Sequence, residues 1–186
     1  MVGKKYYFVI RHGPTNKDKD ESINFDKYLK IITKLILFVK EFLDKKGIDI
    51  NKNIVIHASP IDRCQTTAKF ISTYLNVLNG NEKLKIITDK NVQRWNRKEE
   101  TLDGCFARAQ SYGNKLFNEQ DDDIDVHFII THSSVINALV AGLCGVAFQK
   151  NKLRTSSLSI INGETRELEV FNKSFKSKKN KLPESC

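Results

Sequence analysis

Four short apolar runs, each followed by a helical pattern, constrain what this chain can fold into. The runs are KYYFVIR (Lys5–Arg11), NIVIHA (Asn53–Ala58), LKIIT (Leu84–Thr88) and VHFIIT (Val126–Thr131). They are rich in β-branched and aromatic residues and end at turn-forming positions, the signature of buried strands. A buried strand that reads apolar on both faces needs cover on both sides, and the alternating helices supply it. The expected fold is therefore a three-layer α/β/α sandwich around a mostly parallel central sheet. A last pair of strands, Ser157–Ile161 and Glu167–Phe171, reads as a hairpin around Asn162-Gly163 and makes the sheet mixed.

The helices are legible to different degrees. Residues Ser22–Lys46 carry Leu29, Ile32, Leu35, Ile36, Val39 and Leu43 at three- and four-residue spacing, with Gly47 as a stop. Ser59 and Pro60 suit an N-cap and a first helical position, opening a helix that runs to about Leu78 and stops at Asn79-Gly80. Thr101–Asn118 is helical but weakly patterned, and Glu119–Asp125 is an acidic loop. Ser133–Leu143 is an apolar helix capped by Gly145.

The length of 186 residues fits one domain with a full core, assigned to residues 1–172. The apolar run Tyr6–Ile10 is too short for a signal peptide, and Lys34 interrupts the longest apolar stretch, Ile31–Val39. Cys64, Cys105, Cys144 and Cys186 form no Cys-x-x-Cys pair, so neither a zinc site nor a disulfide framework is indicated; Cys64 and Cys144 read as small core residues. A reducing, cytoplasmic setting fits that usage. The formal charge is +9, and Lys173, Lys176, Lys178, Lys179 and Lys181 concentrate part of it in a basic tail, residues 173–186, expected to be disordered. Aromatic residues do not alternate with the basic ones there beyond Phe175, which disfavours a nucleic-acid platform.

In an open α/β sheet, ligands bind where strands end and helices begin. Three such junctions carry chemistry: Arg11-His12-Gly13, Ser59-Pro60-Ile61-Asp62-Arg63, and Thr131-His132. Two histidines and two arginines would meet there without a metal partner. A neutral imidazole can attack a phosphoryl group, and guanidinium forks can hold its oxygens. Each residue alone also has a bland reading: an incidental histidine after a strand, a solvated arginine, a histidine at a helix start. Together they are far more specific.

These segments resemble the motifs of the histidine phosphatase superfamily, which includes the cofactor-dependent phosphoglycerate mutases. FVIRHGPT matches that family's Arg-His-Gly motif, SPIDRCQTTA its Ser-Pro-x-x-Arg-x-x-x-Thr-Ala motif, and THSSVINAL its second-histidine motif, in the family's order across residues 8–140. The resemblance implies a phosphoglycerate mutase-like fold, His12 as the nucleophile, and Arg11, Arg63 and His132 as groups that bind the phosphoryl oxygens. It implies no cofactor and no metal. Gly13, Thr15, Asn16 and Ser59 fall in the matching segments as candidate substrate-binding residues.

Three departures from the family pattern matter. The glutamate of the family's Leu-x-Glu motif, its leaving-group acid, is replaced by Arg94. The nearest carboxylates are Glu99 and Glu100, then Asp103; they either take over the acid's role or form the acidic start of the next helix. Ser133 stands where the acid phosphatase branch has aspartate, and Asp18 stands where the family often has asparagine, with Asn16 as a substitute donor. Without an acid, a substrate with a good leaving group is expected: an aryl phosphate, a phosphohistidine or an anhydride. His57 is a candidate for the pocket rim by its spacing from Ser59, and His127 reads as structural. Trp95, the single tryptophan, either packs on substrate or anchors its loop.

The leading expectation is a phosphatase acting on a phosphorylated small molecule or phosphoprotein, with no nucleic acid or membrane partner. The alternatives are a phosphoglycerate mutase and a degenerate, non-catalytic binding module.

Overall fold

The computed structural model describes residues 5–13, 25–48, 54–78, 84–119, 124–149, 153 and 156–175. Four parallel strands form the body of one sheet: β1 (Tyr6–Arg11), β2 (Ile54–Ala58), β3 (Lys85–Thr88) and β4 (Val126–Thr131). The antiparallel pair β5 (Ser157–Asn162) and β6 (Leu168–Ser174) extends it, giving the order β3-β2-β4-β1-β5-β6. The helices are α1 (Phe25–Lys46), α2 (Asp62–Leu78), α3 (Leu102–Asn118) and α4 (Ser133–Cys144). This is the expected three-layer, mostly parallel architecture.

The strand pleat sorts the core into two halves. Tyr6, Phe8 and Ile10 of β1, Ile54 and Ile56 of β2, and Val126, Phe128 and Ile130 of β4 face α1 and α2. Tyr7, Val9 and Ile129 face α3 and α4. The buried stripe of α1 is Tyr28, Ile31, Ile32, Leu35, Ile36, Val39 and Leu43. Leu29, expected in that stripe, lies 47% exposed, because the stripe begins one residue earlier at Tyr28. Gly47 ends α1 with φ of 69°, and Gly145 ends α4 with φ of 66°.

Helix α3 has a clear inner face, built from Cys105, Ala109, Tyr112, Gly113 and Leu116. Small residues weaken its apolar pattern, and packing explains them. A Cβ on Gly113 would lie 2.5 Å from the Leu139 carbonyl oxygen, and one on Gly142 would collide with the Gln110 carbonyl. The two helices cross at backbone contact.

Several boundaries differ from expectation. Helix α2 starts at Asp62 rather than at Ser59-Pro60, because Ser59 still belongs to the sheet ladder and the Ile61 carbonyl is the one that accepts from the N–H groups of Cys64 and Gln65. The β5–β6 reversal does not turn on Asn162-Gly163: neither has a positive φ, and Arg166 takes the left-handed position at φ of 62°. Asn162 instead ends β5 and accepts from the Glu164 and Thr165 N–H groups at Oδ1 (2.8 and 3.1 Å). The first residues of the expected tail belong to the fold. Lys173 lies in β6, its ammonium 3.7 Å from the Phe38 ring centroid, and Phe175 packs on the same ring. Residues 22–24, 79–80, 120–123 and 176–186, which include parts of the expected first helix, the Asn79-Gly80 stop, the acidic loop and the rest of the tail, lie outside the described residues.

Candidate active site

Parallel strands bring their carboxyl ends to one edge, and the register fixes who meets there. Arg11 pairs with Thr131 across β1 and β4, and Ala58 with Ile130 across β2 and β4. The ladder continues one step past each strand: the His12 N–H donates to the Thr131 carbonyl (3.0 Å) and the Ser59 N–H to that of Ile130 (3.1 Å). His12 and His132 consequently stand side by side, ring centroids 5.2 Å apart. Arg63, one turn into the chain after Ser59, completes the group.

A cavity of about 780 Å³ opens on this edge, lined by Arg11, His12, Arg63 and His132 among others. The four residues singled out by their position after strands are thus brought together. Gly13 borders them through its backbone. Its carbonyl accepts from His12 Nδ1 (2.8 Å) and its N–H donates to Thr67 Oγ (3.2 Å). A side chain at Gly13 would run into the Tyr28 ring, so the glycine is required by close packing rather than by φ.

The tautomers follow from these contacts. With its proton on Nδ1, donated to the Gly13 carbonyl, His12 carries its lone pair on Nε2. His132 has the opposite arrangement. Its Nδ1 accepts from Arg63 Nε and lies 3.3 Å from Nη2, while Nε2 carries the proton and donates to Ser59 Oγ (2.9 Å). Cys64 Sγ lies 3.3 Å from the same nitrogen. Burial, reinforced by His12 and the neighbouring arginines, pushes the His132 pKa down to about 2, so the ring is neutral. Burial likewise pushes the Cys64 thiol up to about 12, which keeps it protonated. Ser59 is fully buried and stands behind His132; it positions that ring and does not line the cavity.

Arg11 is anchored by Nη1 on the Leu153 carbonyl (3.0 Å), and its buried Nε has no hydrogen-bond partner among the described residues. Burial lowers the pKa of Arg11, and the charge of Arg63 adds to the effect. One buried and one half-buried cation, with an unpaired guanidinium donor on Arg11, are the electrostatics of an anion site.

The loop after β3 supplies the other wall. Its 3-10 turn, Lys90–Val92, begins at Asp89, and Thr131 Oγ donates to the Val92 carbonyl. Arg108 on α3 holds the loop together by donating to the carbonyls of Lys90, Asn91 and Gln93. The same guanidinium pairs with both oxygens of Glu100 (2.6 and 3.1 Å), and this hydrogen bonding lowers the Glu100 pKa. Neither Glu99 nor Glu100 lines the cavity. Glu100, a candidate acid by position, is instead an ionised loop anchor, and both residues precede α3, whose N-cap is Thr101. Trp95 anchors its loop by donating from Nε1 to the Glu100 carbonyl (3.0 Å), and it lines the cavity.

His57 is not at the rim. The pleat turns it under α3, where Tyr112 Oη donates to Nδ1 (3.2 Å) and Nε2 meets His127 Nδ1 (3.3 Å). His127 stacks between His57 and Tyr7. Cys64 is fully buried, whereas Cys144 is partly exposed at the end of α4. Thr15, Asn16 and Asp18 lie outside the described residues. Sequence reasoning missed the loop-anchoring role of Arg108 and the presence of Arg97 and Lys98 at the cavity, since nothing distinguishes them from solvated charges until the loop is folded.

No protein-family model matches the sequence, and no curated protein is detectably similar to it. Solved structures are similar in fold. The protein histidine phosphatase SixA complexed with tungstate superposes with a TM-score of 0.57 at 17% identity, covering 84% of this chain and 86% of that one. A phosphoglycerate mutase from Bacillus anthracis gives 0.63 at 15% identity, covering 92% and 93%. A phosphoserine phosphatase from Entamoeba histolytica, a mutant in complex with phosphoserine, gives 0.58 at 14%, covering 90% and 96%. The backbone thus agrees with what the three motifs imply: this chain has the fold of the histidine phosphatase superfamily, which the phosphoglycerate mutases share.

Proposed function

We propose that the chain is a phosphatase that hydrolyses a phosphorylated compound through a phosphohistidine on His12. The observation that carries this reading is the hydrogen bond from His12 Nδ1 to the Gly13 carbonyl, which leaves the lone pair on Nε2 of a ring that lines a cavity rich in cations. Nε2 attacks phosphorus, the bond to the leaving oxygen breaks, and water then attacks the phosphohistidine to restore the imidazole. Arg11 Nε and the Arg63 fork meet the equatorial oxygens and stabilise the charge of the transition state without reorganising. His132, neutral and held by Ser59, frames the site and braces the Arg63 fork through its Nδ1. The similar fold of phosphatases acting on phosphorylated ligands is consistent with this reading.

Replacing His12 by Ala tests it with p-nitrophenyl phosphate as substrate: turnover should vanish, and retained turnover sinks the assignment. A phosphoglycerate mutase is the second reading, favoured by Arg94, Arg97 and Lys98, which could hold a second acidic group. An assay primed with bisphosphoglycerate separates the two. A binding module without catalysis would show no acid-labile phosphoenzyme.

A further inference from the structure

The cavity's charge is one-sided. Arg11, Arg63, Arg94, Arg97 and Lys98 line it, and no Asp or Glu does among the described residues. The first two serve the phosphoryl group that His12 attacks. The other three stand on a loop whose shape is fixed from several sides. Arg108 holds the Gln93 carbonyl, Trp95 Nε1 holds that of Glu100, and Asn96 Oδ1 accepts from the Lys98 N–H (3.1 Å). The Arg97 guanidinium lies 5.1 Å from the Trp95 ring centroid. These cations are therefore presented on an anchored wall.

Two requirements meet in one kind of substrate. Among the described residues no carboxylate lines the cavity and Glu100 is committed to Arg108, so the first requirement is a leaving group that departs without a proton. It must also be anionic enough to favour three further cations. An alkoxide meets neither requirement: its conjugate acid has a pKa of about 16, close to that of water. A phosphate leaving group meets both, because its conjugate acid has a pKa of about 6. A departing imidazole needs no cation and gains nothing from an arginine wall.

Resting on the His12 phosphatase reading, we infer that the substrate is a phosphoanhydride, the terminal phosphoryl group of an oligophosphate chain, with Arg94, Arg97 and Lys98 holding the phosphate that leaves. Nε2 of His12 forms the bond to the terminal phosphorus. The bridging P–O bond breaks, and its electron pair stays on the departing phosphate, whose charge Arg94 and its neighbours take up. Water then bonds to the phosphorus on His12, the N–P pair returns to Nε2, and the product phosphate accepts the water's proton. A mutase would need a proton donor for an alkoxide in each direction, which disfavours it by the same argument.

The test compares kcat/KM for pyrophosphate, tripolyphosphate, a nucleoside triphosphate, glycerol phosphate, a phosphohistidine peptide and p-nitrophenyl phosphate in the wild type and in Arg94→Gln. The anhydrides should exceed glycerol phosphate by roughly the 10²–10⁴-fold that a missing acid costs an alkyl ester. The ranking among the three anhydrides identifies whether an inorganic chain or a nucleotide is the better source. In Arg94→Gln, the anhydride-to-aryl ratio should fall at least about tenfold, the effect of one charge-assisted contact; a thermal melt establishes that the variant is folded. Parity of glycerol phosphate with pyrophosphate, preference for the phosphohistidine peptide, or an unchanged ratio in the folded variant overturns the inference while leaving the His12 reading intact. Absence of turnover on every substrate, the aryl ester included, overturns that reading and the inference with it.

Discussion

Acidification from pH 7 to pH 5 should cost this fold about 4 kcal/mol, and two imidazoles account for it. His127 and His132 are 4% and 3% exposed, and burial pushes their pKa values down to about 3 and about 2 from 6.5. Neither can take up a proton in the native state within this range, whereas the unfolded chain can. Between the folded and unfolded values the unfolded state therefore binds more protons, and stability falls as pH falls. Each ring contributes a slope approaching about 1.4 kcal/mol per pH unit below 6.5, or about 2 kcal/mol over the two units considered. His57, also lowered by burial, adds in the same direction. For a chain of this length the sum corresponds to a fall in melting temperature of roughly 8–16 °C. Thermal denaturation at pH 7, 6 and 5 measures it. His127→Phe keeps the stack between Tyr7 and His57 and should remove about half of the pH dependence. A flat profile between pH 7 and 5, or an equal slope in the variant, refutes the reasoning.

Gly142→Ala should destabilise by about 1–3 kcal/mol in urea denaturation, because its Cβ would enter the backbone of α3. Glu99→Gln and Glu100→Gln should each change kcat by far less than the roughly 10²–10⁴-fold that loss of a general acid produces, and Glu100→Gln should lower the melting temperature by loosening Arg108. Ser59→Ala should weaken phosphate binding by freeing His132 Nε2 from its acceptor, an effect visible as a raised KM with the fold intact.

What could be read in advance followed from periodicity and from position. Alternating strands and helices constrained the layers, and the residues that follow strand ends were those that the parallel register then brought together. Arg11, His12, Arg63 and His132 were legible because they carry chemistry at chain positions where a sheet edge forms. The misreadings have local physical causes. Helix α3 looked weakly patterned because three of its five inner residues are Cys105, Ala109 and Gly113, and the close crossing with α4 requires the glycine. His57 pointed inward because period two fixes a side of the sheet, but depth beneath a helix is decided by α3. Asn162-Gly163 carried a two-residue turn signal, yet the reversal is longer and uses Asn162 as an acceptor of two N–H groups. Glu100 could not be told from a proton donor by sequence alone, since its partner Arg108 lies eight residues on and across a helix N-terminus.

The claim at the centre of this account is that one nitrogen of one histidine carries the phosphoryl group. Rapid quenching of the protein with a ³²P-labelled substrate, followed by peptide mapping and phosphorus NMR of the quenched enzyme, addresses it directly. The geometry predicts an acid-labile, base-stable label on His12, attached at Nε2, that is absent from His12→Asn. Turnover without a label, a label on His132, or attachment at Nδ1 of His12 would contradict it.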